Sequence, residues 1–238
     1  MASSGEKSLA VGHIPGFQID PTMRKHIVCF GDSNTHGYCA DPADCADGGD
    51  RFNEDERWTC LLQKKLGDGY HVLEEGLSGR TSVFTDPLHE GVCGLDSIFS
   101  CLMSHEPVDL LIVMLGTNDT KSRFGVNAAC IAIGMTRLLE KAKSIAAWRT
   151  QPHILVIAPP HIGEGLYRCA DGVPMGPGCP EKSAALAPYL RQAAEAAGCA
   201  FLDAEGLAEF NQIDCMHLTA KGHRQLADAL AELVPQLV

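Results

Sequence analysis

The stretch VCFGDSNTHGY, residues 28–38, changes from apolar to polar between Phe30 and Asp32. Its first three residues are typical of a buried strand, whereas aspartate, serine, asparagine and glycine favour turns and helix caps. Two interpretations are open. The polar residues could form an ordinary turn and cap, which this stretch alone favours, or they could hold a nucleophile, Ser33, at the end of a strand.

Short apolar runs recur along the chain. They cover residues 27–30, 110–115 and 154–158, with weaker runs at 71–73 and 200–202. Runs of this length without alternation are typical of parallel strands that are buried on both faces. Helical patterns lie between them. The sequence therefore predicts an α/β fold in three layers, with a five-stranded parallel sheet between helices and right-handed crossovers.

Several helix boundaries are marked by single residues. The pattern that begins at Trp58 stops at Gly67, and Thr219 is the expected N-cap of the last helix. Pro188 implies a kink or a helix that starts near it. Residues 159–180 are rich in glycine and proline, and we interpret this segment as a lid, an interface element or a surface excursion.

Composition narrows the class of partner. The chain has 238 residues and a formal net charge of −11, without a run of lysine and arginine. Nucleic acid and anionic membrane surfaces are therefore not expected as partners. No apolar run reaches the roughly 20 residues of a membrane span, and the pattern of a signal peptide is missing, so we expect a cytoplasmic protein.

The first 22 residues differ from the rest of the chain in their apolar pattern. The first 22 residues carry little apolar periodicity, and Met23 closely precedes the first predicted strand. We expect residues 1–22 to be an extension that is disordered or not native. Residues 23–238 are expected to form one domain.

The eleven cysteines are an odd number, and no two of them form a CxxC pair. Several lie within apolar runs, which predicts reduced thiols packed as small hydrophobic side chains. Cys39 with Cys45, and Cys169 with Cys179, lie in predicted loops and could oxidise or bind a metal. The close paired spacing of a zinc site is missing from both.

Polar segments follow the predicted strands at the edge where a parallel sheet binds ligands. They are Gly31-Asp32-Ser33, Gly76-Leu77-Ser78-Gly79, Gly116-Thr117-Asn118-Asp119 and, before the last helix, Asp214-Cys215-Met216-His217. Each could be only a turn or a cap. Their joint occurrence at one edge instead favours a catalytic site.

The residue types in these segments have complementary chemistry. A serine hydroxyl needs a base to take its proton, which His217 can do for Ser33. Asp214, three residues before His217, can orient the imidazole and stabilise its charged form. Negative charge on a carbonyl oxygen under attack needs donors, and the Asn118 amide and the N–H groups of Ser33 and Gly79 could supply them.

These four segments resemble the blocks of the SGNH (GDSL) hydrolases, with Asn34 where leucine is usual. We expect this departure to alter the wall near the nucleophile rather than the chemistry. The stretches RFNEDERWTCLLQKKLG (51–67), EEGLSGRTSVFTDP (74–87) and DLLIVMLGTNDTK (109–121) resemble the bacterial arylesterase and acyltransferase branch. The resemblance covers most of residues 23–238.

The resemblance implies a role for each matching residue. Ser33 would be the nucleophile, His217 the base and Asp214 its orienting acid, with an oxyanion hole formed by Ser33, Gly79 and Asn118. It further implies a flavodoxin-like sheet, no metal or other cofactor, and a homo-oligomer. The implied substrates are small esters with short acyl groups, which some members transfer to alcohols or peroxide.

Residues near the predicted site have competing interpretations. Ser78 lies in GLSGR, which approaches the G-x-S-x-G elbow of another hydrolase fold but ends in Arg80. We therefore expect Ser33 to be the nucleophile, and Arg80 to form a structural salt bridge or to border the acyl site. His36 lacks an acid to orient it, so it is expected to line the entrance. Asn34, His36 and Arg80 are thus the predicted substrate-binding residues.

Three further alternatives stay open at this point. Asp41, Asp44, Asp47 and Asp50 occur every third residue, which predicts a solvated acidic rim rather than a calcium loop. The enzyme could be a carbohydrate O-deacetylase, with Tyr38 or Trp58 as sugar contacts. A catalytically inactive relative that binds an acyl group or a glycan is the alternative from another class, but such a protein need not keep a base and its orienter in register.

Overall fold

The computed structural model describes residues 23–238, so the expectation for residues 1–22 lies outside the described residues. Five parallel strands form one sheet in the order β2-β1-β3-β4-β5. The strands are β1 Lys25–Gly31, β2 Tyr70–Gly76, β3 Leu110–Met114, β4 Ile154–Ala158 and β5 Ala200–Asp203. The predicted five-stranded parallel sheet is confirmed.

Helices cover both faces of the sheet. They are α1 Ser33–His36, α2 Trp58–Leu66, α3 Gly94–Ser104, α4 Ala128–Ser144, α5 Gly172–Met175, α6 Cys179–Ala184, α7 Leu186–Ala196 and α8 Ala220–Leu233. Val28 and Phe30 of β1 pack with α3, α4 and α7, whereas Ile27 and Cys29 pack with α2 and α8. Both faces of β1 are therefore buried, which explains its continuous apolar run.

The strand order is that of flavodoxin-like folds. From β1 the chain adds β2 on one side, then crosses back to place β3 on the other side of β1. The direction of winding thus reverses between β1 and β3. A crevice opens at such a point, beyond the carboxyl ends of the two strands.

The structure adds detail to three of the predicted segments. β2 extends to Gly76, beyond the predicted 71–73, because this edge strand pairs with β1 along its whole length and needs no apolar run there. Pro188 lies in the first turn of α7, where proline is tolerated. Residues 159–180 contain the 3₁₀ helix Glu164–Arg168, helix α5 and the start of α6. Within residues 23–238, no helix is long and apolar enough to cross a membrane.

Helix α8 begins at the predicted cap and is joined to α2 by a buried histidine. The Thr219 side chain accepts a hydrogen bond from the Gly222 N–H. His223 is fully buried, and its Nδ1 accepts from the Trp58 N–H at 3.2 Å. Burial, followed by the charge of His217, lowers the pKa of His223 to about 3. His223 is therefore neutral in the folded protein at neutral pH.

His223 should make the fold less stable in acid. The unfolded chain binds a proton at this side chain near its ordinary pKa of 6.5, whereas the folded chain does so only near pH 3. This group stabilises the fold fully above pH 6.5 and progressively less below it. Its contribution falls by roughly 2 kcal/mol between pH 8 and pH 5.

The measurement is urea unfolding of the wild type and of His223→Asn at pH 8 and pH 5. Burial raises the pKa of Asp32 and of Asp119 to about 6, and these groups act with the opposite sign over part of this range. The quantity to compare is therefore the stability gap between the two proteins. We expect the wild type to lose about 2 kcal/mol relative to the variant at pH 5. A gap that does not depend on pH would contradict a neutral His223.

Gly76 allows α1 to lie against the end of β2. A Cβ atom at this position would lie 2.1 Å from the backbone nitrogen of His36 and 2.4 Å from the carbonyl carbon of Thr35. Gly76→Ala should therefore destabilise the fold by about 2 kcal/mol or more, because backbone atoms must move. Gly69→Ala, at the other end of β2 and facing open space, is the matched control and should change stability by less than about 0.5 kcal/mol. Equal melting temperatures for the two variants would contradict this.

Candidate active site

The polar stretch after β1 forms a short helix that positions Ser33. Strand β1 ends at Gly31, and the Asp32 side chain caps α1 by accepting a hydrogen bond from the Asn34 N–H at 3.0 Å. Gly37 ends the helix with a φ of 88°, which glycine adopts readily. The residue that follows the strand, Asp32, is thus also the helix cap, and Ser33 is the first residue of α1.

Ser33, His217 and Asp214 form a chain of hydrogen bonds at the predicted edge of the sheet. His217 Nε2 lies 2.7 Å from Ser33 Oγ, and His217 Nδ1 lies 2.7 Å from Asp214 Oδ2. The Tyr38 ring packs against the imidazole with 4.6 Å between ring centroids. This arrangement can transfer a proton from the serine hydroxyl to the imidazole while the carboxylate holds the other ring nitrogen.

The Asp214 carboxylate is held by its own loop. Its Oδ1 accepts from the backbone N–H groups of Met216 and His217 at 3.0 and 3.1 Å, and from Asn211 Nδ2 at 2.9 Å. Burial alone would raise the pKa of Asp214, but the hydrogen bond and charge of His217 together with these N–H groups lower it to about 2. Asp214 is therefore ionised at neutral pH and able to stabilise an imidazolium.

Asn34 joins α1 to the loop that carries His217. Its Nδ2 donates to the Met216 carbonyl at 3.2 Å, and its Oδ1 accepts from the Leu218 N–H at 2.9 Å. The residue is buried and does not line the cavity beside Ser33, so the prediction that it alters the wall near the nucleophile is corrected. It braces the main chain on both sides of His217. The sequence contains no local signal for this role, nor for the role of Asn211.

A cavity of about 230 Å³ lies beside Ser33 and is lined in part by Gly79, Asn118 and His217. Gly79 has a φ of 86° and therefore turns in a conformation that side chains disfavour. Within residues 23–238, the N–H groups of Ser33 and Gly79 donate to no acceptor. Asn118 Nδ2 makes one long contact of 3.4 Å, with Asp32 Oδ2. Three donors on residues that line the cavity are thus available.

Asp119, next to Asn118, points away from the cavity. It is fully buried and accepts from the Ser82 N–H at 2.9 and 3.1 Å, and from the Ser82 hydroxyl. Burial raises its pKa to about 6, although these bonds lower it. The contact ties the loop after β2 to the loop after β3, so Asp119 holds the Gly79 segment beside Asn118.

Two other predicted substrate contacts are placed elsewhere. Arg80 is buried with its guanidinium 4.1 Å from the centre of the Phe30 ring, and it donates to the carbonyls of Gly31 and Glu75. Among residues 23–238 it has no partner for the expected salt bridge, and it is not part of the cavity wall. His36 also lies outside the cavity; its backbone packs against Gly76 at the end of β2, and its carbonyl accepts from Arg51. Ser78 does line the cavity, but the His217 imidazole contacts Ser33 and not Ser78.

The described cysteines are all free thiols. Cys39 and Cys45 pack in a small apolar cluster, and Cys179 packs in another. Two aspartates of the predicted acidic rim form hydrogen bonds within the fold. Asp44 accepts from the Ala220 N–H at the start of α8, and Asp47 accepts from the Asn53 side chain.

A group of possible metal ligands lies outside the cavity. Ligand atoms of Glu75, Cys101 and His105 are within 4.8 Å of one another, and Glu75 contacts His105 at 2.6 Å. Burial raises the pKa of Cys101 to about 12, so its thiol is protonated in this setting. These residues do not line the cavity of Ser33, and an ion bound there would not touch the serine.

Comparisons with known proteins identify the family of the chain. A model of the GDSL-like lipase/acylhydrolase family matches residues 29–225. The structure of an aryl esterase from M. smegmatis is 35% identical with a TM-score of 0.79, and the match covers 90% of this chain and 100% of that one. A carbohydrate acetylesterase from Sinorhizobium meliloti is 34% identical with a TM-score of 0.81, over 90% and 100% of the two chains.

A lipase/acylhydrolase from Enterococcus faecalis, with 16% identity and a TM-score of 0.65, shares the fold over 89% of this chain and 96% of that one. No curated protein sequence matches the chain. The family match runs from the last residues of β1 to the first turns of α8 and includes the loops beyond the sheet. The chain belongs to the GDSL-like lipase/acylhydrolase family, also called the SGNH hydrolases, and is a carboxylic ester hydrolase.

Proposed function

We propose that the protein hydrolyses esters of short acyl groups through a covalent acyl-enzyme, with Ser33 as nucleophile, His217 as base and Asp214 as its orienting acid. The observation that carries this proposal is the unbroken hydrogen-bond chain from Ser33 Oγ through His217 to Asp214, with 2.7 Å at each step. A serine within hydrogen-bond reach of an oriented imidazole is the arrangement that activates a nucleophile.

The reaction proceeds in two halves. Ser33 Oγ attacks the ester carbonyl carbon while its proton moves to His217 Nε2. The N–H groups of Ser33 and Gly79 and the Asn118 amide donate to the oxygen that becomes negative, and one such donor typically contributes about 3 kcal/mol. The carbon–oxygen bond to the alcohol breaks, and the alcohol takes the proton from His217. Water then attacks the acyl carbonyl carbon while His217 takes its proton. The bond to Ser33 Oγ breaks, Ser33 takes that proton, and the free acid leaves.

The size of the cavity supports a short acyl group. Pockets for drug-sized ligands occupy roughly 300–1,000 Å³, and this cavity of about 230 Å³ lies below that range. An alcohol or peroxide that reaches the acyl-enzyme could replace water, in which case the acyl group is transferred instead of hydrolysed.

Carbohydrate O-deacetylation is the second function we propose, and the polar side of the cavity favours it. His89, Lys121, Arg123 and Asp171 line the cavity together with Ser33, and side chains of this kind can hydrogen-bond sugar hydroxyls. The similar acetylesterase from Sinorhizobium meliloti is described as acting on carbohydrate. Aromatic platforms for sugars are not prominent in the described part of the chain, because Tyr38 is the one phenylalanine, tyrosine or tryptophan of residues 23–238 that lines the cavity, and Trp58 is buried.

We also propose that the protein is cytoplasmic and forms a homo-oligomer. Val173 and Leu88 are 87% and 68% exposed. Val173 lies next to Pro174, which lines the cavity. Exposed apolar side chains at this position suit a contact between copies of the chain.

A fluorophosphonate probe tests the nucleophile directly. We expect one adduct by intact-protein mass, mapped to Ser33 and missing from Ser33→Ala, because only the activated hydroxyl attacks phosphorus. Ser33→Ala and His217→Ala should each lower kcat/KM for para-nitrophenyl acetate by at least about a thousandfold. His36→Ala is the matched control and should keep most of the activity. A folded wild type that forms no adduct would overturn the proposal, as would equal losses in the two histidine variants.

Asn34 should affect turnover more than substrate binding. Asn34→Ala removes both hydrogen bonds that brace the loop around His217, and we expect kcat to fall about tenfold while KM changes by less than about threefold. Asn34→Asp keeps the acceptor for the Leu218 N–H but sets a buried carboxylate oxygen against the Met216 carbonyl, so it should lose at least as much activity as Asn34→Ala. A raised KM with unchanged kcat would show that Asn34 contacts the substrate instead of positioning the base.

A further inference from the structure

One side of the cavity carries two cations that share a single buried carboxylate. Arg123 binds Asp86 through Nε at 3.0 Å and through Nη2 at 2.8 Å. Lys121 Nζ lies 3.4 Å from Asp86 Oδ2. The side chain of Asp86 is fully buried, whereas Lys121 and Arg123 both line the cavity beside Ser33. This cluster plays no part in the proposed transfer of the acyl group.

The Asp86 carboxylate has little capacity left for Lys121. Besides the two bonds from Arg123, its Oδ1 accepts from the Leu88 N–H at 2.9 Å, and its Oδ2 lies 3.4 Å from His89 Nδ1. Burial would raise the pKa of Asp86, but the hydrogen bond from Arg123 and the neighbouring cations hold it well below its usual range. The carboxylate is therefore ionised and is paired mainly with Arg123.

Lys121 differs from Arg123 in the donors that it keeps free. Arg123 also donates to the Pro174 carbonyl, so its guanidinium is engaged on two sides. The Lys121 ammonium has three N–H groups, and within residues 23–238 its one acceptor is Asp86, at a long distance. Its side chain is only 8% exposed. A nearly buried ammonium with unused donors gains strongly from an anion that enters the cavity.

Two other acids lie near this side of the cavity. Asp171 also lines the cavity but is exposed, so water screens its charge. Asp32 is buried behind the cavity, where the Asn34 N–H and the Asn118 amide donate to it. Neither acid has a hydrogen bond to Lys121. The Lys121 ammonium therefore stays available as a cationic donor toward a ligand in the cavity.

We propose that Lys121, held by the buried Asp86 that it shares with Arg123, forms a subsite for a carboxylate group carried by the ester substrate. This inference rests on the proposed function and names its substrate class: a half-ester of a dicarboxylic acid, or an ester whose alcohol carries a carboxylate. The chain as a whole has a net charge of −11, so its overall field disfavours anions. A preference for an anionic ester would therefore come from this local contact.

Two pairs of esters test the subsite and separate the two sources of the carboxylate. The first pair is the mono-para-nitrophenyl ester of glutaric acid and its methyl ester, which place the anion on the acyl side. The second pair is para-acetoxybenzoate and its methyl ester, which place it on the alcohol side. The quantity measured is the ratio of kcat/KM for the carboxylate to kcat/KM for its methyl ester, after subtraction of the uncatalysed rate.

The variants Lys121→Met and Lys121→Arg remove and keep the charge, and Lys65→Met is the control at an exposed lysine in α2. Comparing one ratio between proteins cancels the different intrinsic reactivity of the two esters. In one of the two pairs we expect the ratio to fall about tenfold or more in Lys121→Met, as the loss of a charge-assisted hydrogen bond implies. It should stay within about threefold of wild type in Lys121→Arg and be unchanged in Lys65→Met.

Three results would overturn the inference. If the methyl esters are hydrolysed but Lys121→Met leaves both ratios unchanged, the subsite is wrong and the proposed function stands. If Lys65→Met lowers the ratio as much as Lys121→Met does, long-range charge accounts for the preference and the local contact is refuted. If no ester is hydrolysed and Ser33 forms no fluorophosphonate adduct, the proposed function fails and the subsite fails with it.

Discussion

Burial of β1 on both faces is the constraint on which the rest of the structure depends. Helices α3, α4 and α7 cover one face of the sheet and helices α2 and α8 cover the other, while β2 and β3 pair with the two edges of β1. A strand enclosed in this way exposes polar groups only beyond its ends. The reversal of winding between β1 and β3 leaves its carboxyl end open, and Ser33 lies there.

The site then depends on contacts between segments that are distant in sequence. Asn34 and Met216 are separated by 182 residues, yet the hydrogen bond between them sets the position of His217 relative to α1. The Asp119–Ser82 contact does the same for the two loops that carry Asn118 and Gly79. Each bond lies behind the cavity instead of in it. The chemistry is therefore positioned by side chains that a substrate would not touch.

This polar framework has an energetic cost. Burial raises the pKa of Asp32 and of Asp119 to about 6, which shows that their charged forms are disfavoured where they lie. The backbone N–H groups of Asn34 and Ser82 offset part of that cost. Asp214 is the contrasting case, because three donors besides the imidazole hold its charge, and its pKa is lowered to about 2. The number of hydrogen-bond donors around each buried carboxylate thus decides how well its ionised form is stabilised.

The sequence by itself determined the sheet and the segments that meet at its edge. Continuous apolar runs identify strands covered on both faces, and the polar residues after them must converge because parallel strands end on the same side. Ser33, Gly79, Asn118 and His217 accordingly line one cavity. The Thr219 cap could be predicted for the same local reason, since its partner lies three residues away.

Only the tertiary structure decided which of the neighbouring polar side chains face that cavity. Arg80 and His36 stand close in sequence to cavity residues but point elsewhere, because the Phe30 ring and the packing of α1 against β2 set their directions. Asn34 turns toward the His217 loop, and Lys121 is placed beside Asp86 by a fold-back over 35 residues. Local sequence predicts that a residue follows a strand. The direction of its side chain depends on contacts with distant segments, which exist only once the chain is folded.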